Sequence, residues 1–202
     1  MAAALQSGQI DMMSTYESVA YYILARNNIV EIEEIEPALT DVFCCAMRAE
    51  DVALKKEFDA AILKMANDGT LTNLVKTYIN KFIHRETMSI IRMPKFYNDT
   101  MIRIGITGDL PLLDYIRPDG IPAGFNTAIL AEISKLIGKN FVLVQVDSGS
   151  RAIALTSGEV DVIFWAVVPQ DNEILPKNFD VPEGVILTEP YFSDKIVHVK
   201  LR

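Results

Sequence analysis

From Ile102 onward the sequence alternates between strand and helix periods. Ile102-Arg-Ile-Gly-Ile106 reads as a strand, Asp109 to Tyr115 as a loop, and Asn126 as the cap of a helix. That helix buries Ile129, Ile133, Leu136 and Ile137 and is closed by Gly138. Phe141-Val-Leu-Val-Gln-Val146 is the next strand, Ser150 to Ser157 a short helix ended by Gly158, and Val160 to Phe164 a largely buried strand. A polar loop from Asp171 to Gly184 and a last strand from Lys195 to Val199 complete the unit. Strand–helix–strand order restricts the topology severely, because crossover connections are right-handed and make neighbouring strands parallel. The expected fold class is α/β, a parallel-type sheet with helices on both faces.

The first half is more helical. Leu54, Phe58, Ala61, Ile62 and Met65 recur at helical spacing, and Asn67-Asp68-Gly69 ends that helix. Thr70 is placed to cap a second helix with the stripe Leu71, Leu74, Val75, Tyr78, Ile79 and Phe82. Ser18 to Ala25 reads as helix and Val42 to Met47 as a short apolar strand. Within that strand Cys44 and Cys45 are expected to point one inward and one outward, since successive side chains alternate. Between about Ile83 and Thr100 neither period persists, which marks a connection.

Composition excludes several functions. Half of the 202 residues are hydrophobic, enough for a packed core, and the net charge of −8 argues against a phosphate-binding basic surface and so against nucleic acid. No apolar run is long enough for a membrane span, and the start at Met1 lacks the pattern of a secretory signal, so any export signal lies outside this chain. Two histidines and no Cys/His cluster give no basis for a metal site, and no cofactor is expected.

A short pattern occurs twice. Ala4-Leu-Gln-Ser-Gly-Gln-Ile-Asp-Met-Met13 reappears as Ala154-Leu-Thr-Ser-Gly-Glu-Val-Asp-Val-Ile163. A helix end, a Ser-Gly terminator and a strand entered through an acidic residue describe both copies, which suggests two α/β lobes of one plan.

With these motifs the chain resembles family 3 extracellular solute-binding proteins, the type 2 periplasmic-binding fold components of amino-acid ABC transporters. The first-lobe landmarks are Ile102-Arg-Ile-Gly-Ile106, Asp109-Leu-Pro-Leu-Leu-Asp-Tyr115, Gly124-Phe-Asn126, Ser150 to Val162 and Leu187-Thr-Glu-Pro-Tyr-Phe-Ser193. Ala4 to Asp11 and Ala66-Asn-Asp-Gly-Thr-Leu71 are similar to the end of a second lobe. The resemblance implies residues 1–83 as the back part of a lobe 2, 84–100 as a connector, and 101–202 as a complete lobe 1. The simplest account of that order is a window on a tandem-module protein; a circular permutant is the other.

Ligands of open parallel sheets bind beyond the carboxyl ends of the strands. Asp109 to Tyr115 falls there, with Tyr115 either covering a ligand or packing at the core edge. Ser148 and Arg151 follow the Val146 strand at a helix start, where Arg151 suits a carboxylate; the similar Asn-Arg-Ile-Pro string of acidic-amino-acid members implies the same role. Trp165 offers a stacking floor or a packed ring, and the backbone N–H groups of Ala166 and Val167 are further candidates. The family's carboxylate-clamping Arg is missing, with Gln170-Asp-Asn-Glu173 in its neighbourhood, and Glu17 stands near the position of the family's ammonium acceptor. The resemblance implies non-enzymatic binding of a small polar solute, amino-acid-like or carboxylate, outside the cytoplasm, with an ABC permease as partner. The alternatives are a ligand-sensing module attached to a signalling domain and a degenerate spacer.

Overall fold

A computed structural model of the chain describes residues 4–5, 7–84, 90–97, 100–170 and 183–202. Most of the loop expected at Asp171 to Gly184, and parts of the expected connector, lie outside the described residues.

The first half forms β1 (Met12–Tyr16), α1 (Glu17–Leu24), β2 (Val30–Arg48) and α2 (Val52–Asn67). A helical run follows as α3 (Thr70–Val75), a π-helical turn (Lys76–Asn80) and α4 (Lys81–Ile83). The second half forms β3 (Met101–Ile106), the small strands β4 (Asp109–Leu110), β5 (Asp114–Ile116) and β6 (Pro122–Ala123), α5 (Phe125–Ile137) and β7 (Asn140–Gln145). It ends with α6 (Arg151–Thr156), β8 (Val162–Gln170), β9 (Val185–Leu187) and β10 (Phe192–Leu201).

The main sheet has the order β1-β10-β2-β8-β3-β7, with β9 added against β2. Only β3 runs parallel to its neighbours β7 and β8; the other pairings are antiparallel. The α/β class therefore holds, with a mixed sheet rather than a fully parallel one. The stretch expected as a loop at Asp109 to Tyr115 is the hairpin of a second, three-stranded sheet, β4-β5-β6.

Strand β2 is far longer than the short segment expected at Val42 to Met47. Its first part pairs with the end of β10, from Val30 opposite Leu201 to Glu34 opposite Val197. Its second part pairs with the start of β10, from Leu39 opposite Ile196 to Phe43 opposite Phe192, and with β8 on its other edge. Ile35 to Ala38 are left out of the ladder between the two parts. Pro37 has no N–H to donate, so its place in that unpaired stretch removes no ladder bond.

This long strand ties the halves of the chain together. Phe43, Cys45 and Met47 of β2 and Phe58, Ile62 and Met65 of α2 share one buried cluster with Ile104, Phe125, Ile129, Phe141 and Phe164. Residues expected in the back of a second lobe thus pack in one core with residues expected in lobe 1. The opposite face of the sheet carries α6 over Ala46, Val146, Val160 and Ile163, and α1 covers Met13, Val30, Val197 and Val199. Both faces are covered where the cysteines sit, so Cys44 and Cys45, of which one was expected to point outward, are both buried. Both are free thiols; burial pushes Cys44 up to about 11 and Cys45 upward as well.

The two copies of the repeated pattern share one geometry. Gly8 and Gly158 have φ of 69° and 76°, and each donates its N–H to the leucine three residues earlier, Leu5 or Leu155, at 3.1 Å. Ser7 Oγ donates to the carbonyl of Ala4 and Ser157 Oγ to that of Ala154. Leu5 and Leu155 are both buried, so each copy plants its leucine under a glycine-terminated helix end.

Two expected caps fall elsewhere. The N-cap of α5 is Gly124, at φ 109°, and that of α3 is Gly69, so Asn126 and Thr70 lie inside their helices. Asn126 is buried and accepts from Tyr191 Oη at 3.2 Å, a contact across 65 residues that outweighs the local capping preference.

Candidate functional site

The site is built around an irregularity in β8. Ala166 stands opposite Cys44 and Phe164 opposite Cys45, so Trp165 is the extra residue of a β-bulge. Its carbonyl oxygen accepts from Arg151 Nη1 at 2.7 Å. Arg151, at the first position of α6, also donates through Nε to the Ser148 carbonyl at 3.1 Å, and its guanidinium carbon lies 5.2 Å from the Trp165 ring centre. The third guanidinium nitrogen, Nη2, has no partner among the described residues.

Ser148 belongs to a one-turn 3₁₀ helix capped by Asp147, whose side chain accepts from the Gly149 N–H. The Ser148 hydroxyl donates to Asp109 Oδ2 at 3.1 Å, which ties this turn to the β4–β5 hairpin. The Trp165 ring also packs against Phe43 at 5.1 Å and edge-on to Tyr16 at 6.0 Å. Tyr16 Oη donates to Asp41 Oδ2 at 3.1 Å, and burial, reinforced by Asp41, pushes its phenol well above the ordinary value. The indole Nε1 of Trp165 is buried without a hydrogen-bond partner among the described residues.

Ser148, Arg151, Trp165, Ala166 and Val167 line one cavity of about 200 Å³. Ala46, Leu155, Ile163 and Val185 supply apolar wall. Five of the residues singled out by sequence thus meet on one concave surface, and Asp109 reaches it through the Ser148 hydroxyl. Tyr115 and Glu17 lie apart from it. The Tyr115 ring stacks on Phe82 at 5.9 Å, and with Tyr78 and Arg117 it lines a separate cavity of about 230 Å³. Glu17 opens α1 and raises the pKa of its neighbour Asp194. Gln170 ends β8, and residues 171–173, where the family's clamping Arg was sought, lie outside the described residues.

Sequence reasoning missed Phe43 and Asp41 as supports of the site. Both lie on β2; Phe43 reaches the Trp165 ring, and Asp41 the Tyr16 hydroxyl beside it, only through the pairing of β2 with β8 and β10, which no local pattern displays. A metal-ligating group of three or more His, Cys, Asp or Glu is absent among the described residues. No helix among them is long and apolar enough to cross a membrane.

Residues 102–179 match the family described as Bacterial extracellular solute-binding proteins, family 3, in agreement with the resemblance read from the motifs. No curated protein matches the chain. Among solved structures, domain 1 of TmArgBP in its arginine-bound form is 18% identical over 50% of this chain and 78% of that one, with a TM-score of 0.37. AgaA from A. tumefaciens R10, in complex with agropinic acid, is 15% identical over 88% of this chain and 38% of that one, with a TM-score of 0.48. NikA from Brucella suis, in complex with Fe(III)-EDTA, is 12% identical over 99% of this chain and 55% of that one, with a TM-score of 0.49. The chain spans less than two thirds of the latter two proteins.

Proposed function

We propose that this chain, whose residues 102–179 carry the family 3 solute-binding pattern, binds a small solute bearing an anionic group and anchors it on Arg151. One observation carries the reading. The Arg151 guanidinium is held in place by two carbonyl oxygens while it lines a cavity, and one of its amino groups has no partner among the described residues. A planar, permanently charged fork fixed in this way is ready to receive a carboxylate with little further loss of rotamer freedom. Each charge-assisted hydrogen bond to it contributes about 1.5–3 kcal/mol. On this reading the chain delivers its solute to an ABC permease from the extracytoplasmic side, without chemical change to the solute.

A thermal-shift screen of the complete chain with amino acids, small carboxylates and polyamines tests the binding step. Stabilisation by an anionic solute is expected to follow RT ln(1 + [L]/Kd), about 2.7 kcal/mol at 100 times Kd, with polyamines inert. A flat response to every anion in the panel overturns it.

A further inference from the structure

We infer that the solute is a small organic monoanion with a short apolar body, of the 2-oxo acid or branched short-chain carboxylate class, rather than an α-amino acid. This deepens the solute-binding reading of the Arg151 cavity and rests on it. The argument comes from the walls.

Arg151 is the one ionic side chain among the described residues that line the cavity. The carboxylates tied to this turn are engaged elsewhere: Asp109 accepts from the Ser148 hydroxyl and Asp147 from the Gly149 N–H, and neither lines the cavity. The carbonyl oxygens of Ser148 and Trp165 already accept from the guanidinium. Among the described residues, Arg151 Nη2 is the donor of the guanidinium left without a partner. An ammonium group brought here meets a like charge and no carboxylate, so its desolvation goes uncompensated. A carboxylate meets the guanidinium, and a 2-oxo group supplies a second acceptor for its remaining N–H groups.

Beyond Arg151, Ser148 and Gly149 the lining is mostly aliphatic, with Leu155, Ile163, Val167 and Val185 as its larger side chains, and the Trp165 ring adds an apolar wall. At about 200 Å³ the cavity falls below the roughly 300–1,000 Å³ that drug-sized ligands occupy, which limits the body to a few carbons.

Calorimetric titration of the complete chain with 2-oxoisovalerate, isovalerate and L-valine at one pH and ionic strength tests the class, since the three share a branched body. Both anions are expected to bind at least tenfold more tightly than L-valine. Equal or tighter binding of L-valine overturns the anion class and leaves solute binding standing; absence of binding by all three, with no response in the wider thermal screen, overturns both. Ala152→Asp, at an exposed position on α6 that lines the cavity, is expected to weaken the two anions at least fivefold while L-valine loses less. Unchanged affinities in that variant overturn the assignment to this cavity.

Discussion

Arg151 donates to the main-chain oxygen of Trp165 at 2.7 Å and lies 5.2 Å from the centre of that residue's own ring. The two contacts have one origin. A regular strand would direct the Trp165 carbonyl into the ladder with β2, whereas the bulge between Phe164 and Ala166 frees it to accept from α6. The cationic group, the ring and the cavity mouth are therefore positioned by a single local departure from strand geometry.

The support under the ring is Phe43, which is fully buried and has its centroid 4.9 Å from Tyr16, 5.1 Å from Trp165 and 5.3 Å from Phe192. Phe43→Ala is expected to lower stability by about 3–5 kcal/mol, read by chemical denaturation, because it opens a cavity in the middle of the sheet. Phe43→Leu, which keeps most of the volume, is expected to lose less than half of that.

Asp194 faces Asp41 across the β10–β2 ladder and holds the start of α1, accepting from the Ser18 hydroxyl at 2.6 Å and the Ser18 N–H at 3.2 Å. Burial, with the charge of Glu17 adding to it, raises its pKa to about 6 against the opposing effect of the Ser18 bonds. A carboxyl with a folded-state pKa above its unfolded value disfavours the folded state once ionised. Its relative stabilisation is complete below about pH 4 and is lost as pH rises through about 6. The full span is on the order of 3 kcal/mol. Asp194→Asn keeps an acceptor for Ser18, so the variant is expected to show a flatter stability profile between pH 4 and 7 than the parent chain. Parallel profiles in urea denaturation would refute the assignment.

Gly124 caps α5 at φ 109°, and a Cβ there would stand 2.6 Å from the Leu113 carbonyl oxygen and 2.9 Å from that of Leu112. Those two oxygens accept from Asn126 and Phe125, so neither can retreat without breaking the first bonds of the helix. Gly124→Ala is expected to destabilise by at least about 2 kcal/mol. Gly120→Ala, which also has positive φ but nothing within 4 Å, provides the comparison and is expected to lose less.

Local periodicity made β3, α5, β7 and α6 legible, and the Ser-Gly pattern foretold two matching helix ends at Gly8 and Gly158. It failed where partners distant in sequence decide. Val30 and Ile32 alternate with Glu31 and Glu33 as a strand should, yet Glu34 to Pro37 break the pattern, and only pairing with β10 on either side joins the pieces into β2. Asn126 has the chemistry of a cap, but its amide is claimed by Tyr191. Ser148, Arg151 and Trp165 were nameable because loops after strands of an α/β sheet are where ligands bind; the bulge that joins them is a matter of register between two strands and leaves no mark in either segment alone.

Trp165 is the chain's single tryptophan and forms part of the cavity wall, so its emission reports on occupancy without any label. Fluorescence of the complete chain, titrated with 2-oxoisovalerate, is expected to change saturably with ligand, and Arg151→Met is expected to shift the midpoint at least tenfold to higher concentration. Emission that stays constant to saturating ligand, or a midpoint that is the same in Arg151→Met, would show that solute does not seat between this guanidinium and this ring.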